Sequence, residues 1–128
     1  MKCPACRVPM YVVEYQQIEL DLCGACEGVW FDSGELALLL GDQRPLDAAP
    51  APTDEATRSC PLCDKPMDKV NIGPGRRVLV DRCPRGCGLW FDGAEVAALV
   101  ADLDAAGWAL PAAVHGFLRE MFPAKGGK

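Results

Sequence analysis

Histidine is almost absent from this 128-residue chain: His115 stands alone. One imidazole excludes multi-histidine metal sites. It also sits far along the chain, on an apolar stretch, where it reads as a packed or surface side chain rather than a ligand or base. Long apolar runs are missing too. No stretch approaches the ~18 consecutive apolar residues of a membrane span, so no membrane role is expected. Met1-Lys2 leads directly into Cys3-Pro4 with no apolar segment between, which gives no sign of a secretory leader. These readings place the chain in the reducing cytoplasm. Positive charge is also scarce. Thirteen Lys and Arg face eighteen Asp and Glu, a formal net charge of −5, which as a whole opposes binding to polyanionic nucleic acid.

What the chain has is cysteine, eight of them in four close pairs. The first half carries Cys3-Pro-Ala-Cys6, then Cys23-Gly-Ala-Cys26 running into Trp30-Phe31-Asp32. The second half carries Cys60-Pro-Leu-Cys63, then Cys83-Pro-Arg-Gly-Cys87 running into Trp90-Phe91-Asp92. One unit is written twice. Units of about 40 residues bury too little apolar surface to fold unaided. In a reducing compartment, paired cysteines hold metal rather than forming disulfides. Four thiolates at this spacing suit one tetrahedral zinc. The expected ligands are Cys3, Cys6, Cys23 and Cys26 for one Zn2+, and Cys60, Cys63, Cys83 and Cys87 for a second. A cross-braced pairing is the competing arrangement, disfavoured because each unit holds a complete set. Cys83 and Cys87 are separated by three residues rather than two, so that knuckle must differ locally. The loaded sites make the protein more acidic still, because eight thiolates outweigh two Zn2+.

Each unit reads as knuckle, hairpin, knuckle, short helix. Met10–Tyr15 and Ile18–Leu22 are β-prone, joined by the weak turn Gln16-Gln17. Met67–Ile72 and Val78–Val80 flank the stronger turn at Gly73-Pro74-Gly75. Asp32-Ser-Gly-Glu35 and Asp92-Gly-Ala-Glu95 have the form of capping boxes, with Asp accepting from free helix N–H groups. A helix stopping near Gly41 follows the first, and a longer one stopping near Gly107 follows the second. Residues 43–58 are Pro- and Ala-rich and read as a semi-extended linker. Residues 110–122 form a further helix with Leu110, Val114, Phe117, Leu118, Met121 and Phe122. That helix either packs on its predecessor or offers a partner or homodimer surface. Lys125–Lys128 reads as a frayed tail. The fold class expected is a small metal-stabilised α+β protein. Its domains are ribbon one at 1–42, the linker at 43–58, ribbon two at 59–106 and a C-terminal extension at 107–128.

At the CPxC, CxxC, Gly-x-Trp-Phe-Asp and Glu positions the chain resembles the bacterial branch of the TFIIB-type zinc-ribbon family. The resemblance spans Cys3 to Glu35 and Cys60 to Glu95. It implies the ribbon fold and a zinc in each unit, and its label implies transcription. Ribbons serve DNA, RNA and protein contacts alike, so the fold leaves the partner open.

The charge is unevenly spread. Residues 1–42 carry Lys2 and Arg7 against Glu14, Glu19, Asp21, Glu27, Asp32, Glu35 and Asp42, a net −5. Residues 59–95 carry Lys65, Lys69, Arg76, Arg77, Arg82 and Arg85 against Asp64, Asp68, Asp81, Asp92 and Glu95, a net +1. The leading expectation is a non-catalytic adaptor that binds another protein. The alternative is a transcription-related ribbon that binds nucleic acid through Arg76, Arg77, Arg82 and Arg85. The Trp-Phe pairs serve as each unit's small core, or as stacking platforms for bases. Catalysis is not expected, because four cysteines close the zinc shell. A thiol–disulfide oxidoreductase would leave three cysteine pairs unexplained.

Overall fold

The computed structural model describes residues 1–41, 48–75 and 78–122. Unit one supplies three strands, β1 (Tyr11–Tyr15), β2 (Ile18–Leu22) and β3 (Val29–Asp32), followed by helix α1 (Glu35–Leu40). A short strand β4 (Ala48–Pro50) comes next. Unit two repeats the pattern with β5 (Asp68–Ile72), β6 (Val78–Arg82), β7 (Gly88–Phe91) and helix α2 (Glu95–Ala105). Helix α3 (Ala112–Met121) completes the chain.

The two units share one antiparallel sheet, ordered β1-β2-β3-β7-β6-β5-β4. They join through β3 and β7, where Trp30 lies opposite Trp90, Val29 opposite Phe91 and Phe31 opposite Leu89. This register is self-complementary: exchanging the units maps each pair onto another. The two ribbon units are therefore related by an approximate two-fold axis through the Trp30–Trp90 pair, the arrangement of an isologous dimer carried on one chain, which β4 and α3 do not obey.

Alternation along each strand divides the apolar residues between two faces. Leu20, Leu22, Val29, Phe31, Val70, Ile72, Val78, Val80 and Phe91 pack with the helices. Phe31 meets Phe91 edge-on at 5.2 Å on this face. The opposite face gathers Trp30 and Trp90 with Cys3, Cys23, Cys60, Cys83 and Met67.

The helices end as their chemistry dictates. α1 stops where Gly41 takes a left-handed φ of 68° and its N–H returns to Ala37 and Leu38. Gly107, also left-handed, follows α2. α3 buries Val114 and Leu118 in the common core, joined by Phe122 just past its end. Phe117 stacks on Tyr15 at 4.2 Å, and His115 Nε2 lies 3.0 Å from Asp104 Oδ2 on α2. The apolar side of this helix is thus turned toward the protein's own core. His115 is a helix–helix contact.

Three local expectations change. Ala48–Pro50, read as linker, forms a strand on the outer edge of β5. Val29–Asp32 and Gly88–Phe91, given no strand in the knuckle–hairpin–knuckle–helix reading, are the central strands. The Asp residues of the supposed capping boxes do not cap: α1 and α2 begin without any side-chain cap hydrogen bond. Asp32 Oδ1 accepts instead from Trp30 Nε1 at 2.8 Å, and Asp92 Oδ1 from Trp90 Nε1 at 3.0 Å. Residues i and i+2 of a strand point the same way, which brings each indole to its carboxylate. Half of the first box survives, since Glu35 Oε1 accepts from the Asp32 N–H. Arg76, Arg77 and the tail at Lys125–Lys128 lie outside the described residues, as does the part of the linker before Ala48.

Candidate metal centres

Each unit builds its site from two tight loops. In the first loop of unit one, Cys3 N–H donates to Val8 O and Arg7 N–H to Cys3 O, with Arg7 in the left-handed region at φ 66°. Unit two repeats this with Cys60 to Lys65 and Asp64 to Cys60, Asp64 at φ 63°. Such a turn points successive N–H groups at the leading sulfur. Ala5 and Cys6 donate to Cys3 Sγ at 3.3 and 3.2 Å, and Leu62 donates to Cys60 Sγ at 3.4 Å. These bonds stabilise a thiolate before any metal arrives.

The second loops resolve the spacing anomaly. Cys23 N–H donates to Gly28 O at 3.0 Å, and Cys83 N–H to Gly88 O at 3.1 Å. The two loops are therefore closed by the same bond over the same length. Inside, the order differs. Unit one places Cys26 before its left-handed residue, Glu27 at φ 65°; unit two places its left-handed residue, Gly86 at φ 82°, before Cys87. The added residue between the cysteines of unit two is only an exchange of two positions within a shared turn length.

The cysteines assemble in tandem. The sulfurs of Cys3, Cys6, Cys23 and Cys26 all lie within 4.8 Å of one another, and so do those of Cys60, Cys63, Cys83 and Cys87. A Zn–S bond of about 2.3 Å implies a tetrahedral edge of about 3.8 Å. Cys3 and Cys26 sulfurs are 3.8 Å apart, and Cys63 and Cys83 sulfurs 3.6 Å. The donor set and its dimensions fit one Zn2+ per unit, two per chain.

The thiols differ in acidity. Burial works to raise Cys23, but N–H donation from Cys26 and Ala25 outweighs it and brings the thiol down to about 7. Cys83 is brought to about 7 in the same way, with Cys87 and Arg85 N–H groups opposing burial. Burial pushes Cys26 up. The Cys83 sulfur, then burial, push Cys87 up to about 12. Each site thus has one thiol ready to ionise near neutrality and others that lose protons as metal binds.

The tryptophans link the centres. Trp30 and Trp90 are both 0% exposed. A Cβ on Gly28 would collide with the Trp90 ring, and one on Gly88 with the Trp30 ring and the Phe31 carbonyl. Each unit's glycine makes room for the other unit's indole. Read locally, each Trp serves its own knuckle. The reciprocal packing lies beyond that reading because the β3–β7 register is a long-range property.

Among the second unit's cations, Lys69 is used internally. Its Nζ lies 2.6 Å from buried Asp81 and 3.3 Å from Glu55. Lys65, Arg82 and Arg85 are exposed.

No helix among the described residues is long and apolar enough to cross a membrane. No curated protein and no solved structure matches the chain. Residues 2–41, the whole of the first knuckle–hairpin–knuckle–helix unit, match the TFIIB-type zinc-ribbon family, described as transcription factor zinc-finger.

Proposed function

We propose that the protein is a non-catalytic, zinc-held adaptor that binds another protein in the cytoplasm. The observation that carries this reading is the distribution of exposed apolar side chains. Val8, Tyr11, Val12 and Leu38 of unit one are 39%, 51%, 57% and 69% exposed. Their counterparts in unit two, Lys65, Asp68, Lys69 and Ala98, are polar or small; the exposed Leu62 of unit two, at 54%, stands where unit one has Ala5. Apolar groups left on the surface of a small protein favour protein contact. A zinc enclosed by four cysteines leaves no coordination position for a substrate, which supports the non-catalytic part.

Nucleic-acid binding has less support. Trp30 and Trp90 are withdrawn from solvent, so they offer no face for base stacking. Lys69 is spent on Asp81 and Glu55. Fluorescence anisotropy of the zinc-loaded protein against single-stranded DNA, duplex DNA and RNA, at low and moderate salt, tests the choice. Absence of binding at low salt is expected. Micromolar binding that collapses as salt rises would overturn the adaptor reading, because phosphate contacts release counterions and apolar contacts do not.

A further inference from the structure

The two units present equivalent outer strands, β1 and β5. Val12 and Lys69 occupy the same place, each six residues beyond the second cysteine of its unit. β5 is covered: Ala48–Pro50 pair antiparallel with Val70–Ile72, and the Ala51 N–H donates to the Lys69 carbonyl at 3.0 Å. β1 ends the sheet, with no strand beyond it among the described residues.

Tyr15 and Ile18 close a two-residue loop, with Gln16 at φ 49° and Gln17 at φ 70°. The closing pair of such a hairpin is hydrogen-bonded. Alternation then turns the backbone N–H and C=O of Val12 and Glu14 away from β2. These are the positions of Lys69 and Asn71, the residues that face β4 in unit two. Exposed edges are ordinarily guarded by Lys, Pro or bulges. β1 has none of these. It carries one charge, Glu14, beside the exposed Tyr11 and Val12.

The side chains repeat the asymmetry. Val12 lies opposite Asp21 where Lys69 lies opposite Asp81. Unit two therefore neutralises its cross-strand Asp, and unit one does not.

We propose that β1 is a strand-addition site that takes an extended, basic segment of a partner protein, antiparallel to Val12–Glu14, with a Lys or Arg set over Val12 to pair with Asp21. The site deepens the adaptor reading and rests on it. β4 on β5 is the internal template, and main-chain bonds supply affinity while the cation supplies selectivity. A second copy of the chain is the poorer occupant, because Glu14, Glu19 and Asp21 would meet their own like charges.

Amide hydrogen exchange and amide chemical shifts of the zinc-loaded chain test this, with a ten-residue peptide of alternating Lys and Val as the probe. In the free protein, Val12 and Glu14 amides are expected to exchange at least about tenfold faster than those of Lys69 and Asn71. The peptide is expected to shift and protect Val12 and Glu14, whereas an alternating Glu and Val peptide leaves them unchanged. Val12→Pro, which removes only an outward N–H, and Val12→Lys, which installs the cation of unit two, should each abolish the effect while unit-two resonances stay in place. Protection already present in the free monomer, or growing with protein concentration, would overturn the proposal by showing that the chain or a second copy covers the edge. Equal shifts with both peptides would overturn it too. Shifts centred on Leu38 or Leu62 would end the β1 assignment while leaving the adaptor reading intact. No shift with either peptide, together with salt-sensitive DNA binding, would end both.

Discussion

Unit one and unit two have the same two loops, the same hairpin and the same Trp-Phe-Asp strand, yet opposite edges. Unit two is finished: β4 lies along its outer strand and Lys69 neutralises its buried Asp81. Unit one is open on the equivalent strand and has valine where the lysine would stand. A duplicated scaffold has been completed on one side and left accessible on the other. The common parts hold metal and the joint. The differing parts are where recognition is expected.

The largest effects should come from the metal ligands. Cys23→Ser is expected to lose the first zinc. The second zinc would stay unaffected if the units were independent, but the shared Trp30–Trp90 packing couples them. Its affinity should fall by about tenfold, a coupling within the ordinary range. Cys83→Ser should mirror the result on the first zinc. Chelator competition, with tryptophan emission read in parallel, measures both. An unchanged second affinity in both variants would break the symmetric picture and make the units independent.

Next in size is the ion pair that distinguishes the halves. Lys69→Ala leaves Asp81, 1% exposed, without its cation. Breaking a buried pair from one side costs about 3–5 kcal/mol. Val12→Ala at the equivalent site should cost under about 1 kcal/mol, because the side chain is 57% exposed. Urea unfolding of the zinc-loaded proteins compares them, and equal losses would remove the distinction.

Gly28→Ala and Gly88→Ala probe what the units share. Each forces a methyl against the opposite indole and should destabilise by about 1–3 kcal/mol. Thermal melts with zinc in excess should show both, with Gly88→Ala the worse, since its methyl comes closer to the Phe31 carbonyl than the Gly28 methyl comes to that of Phe91.

The smallest effect concerns the helix-start acids. Burial, then the charges of Asp92, Glu55 and Asp81, pushes the Glu95 carboxyl up to about 7 from 4.5. A carboxyl raised on folding stabilises the fold fully only below its unfolded value. That contribution is lost as pH rises through the folded value. Glu95→Gln keeps the neutral shape, so its melting temperature should exceed the parent's increasingly from about pH 4.5 to about pH 7 and level off above that. Glu35→Gln should show a weaker version. Glu35 is also raised, by burial first, but its carboxylate accepts the Asp32 N–H. A flat difference across that range would refute the reading for Glu95.

Much of this was legible in the chain. Cysteine spacing and the internal repeat were enough to group the sulfurs into their two clusters, because loops this short bring ligands together through local geometry. Leu36, Leu39 and Leu40 before Gly41 marked α1, and the Val96–Leu103 spacing marked α2. What escaped was long-range. Nothing near Ala48-Ala49-Pro50 reveals that β5 lies beside it. Nothing near Gly28 reveals that its missing side chain makes room for Trp90. The misread Asp32 and Asp92 are instructive, because two local motifs overlapped: a capping box and a same-face Trp-x-Asp on a strand. The indole, buried and needing an acceptor, took the carboxylate.

The strand order has a consequence for synthesis. β4 belongs to the first half of the chain but pairs only with β5, whose residues follow it. On a ribosome, the first zinc site can close while β4 still waits for a neighbour. The last strand of the early product is thus held in reserve until the later half arrives beside it. Once it does, unit two lies between β3 and β4, two strands made before it, and it cannot separate without peeling an earlier strand from its flank.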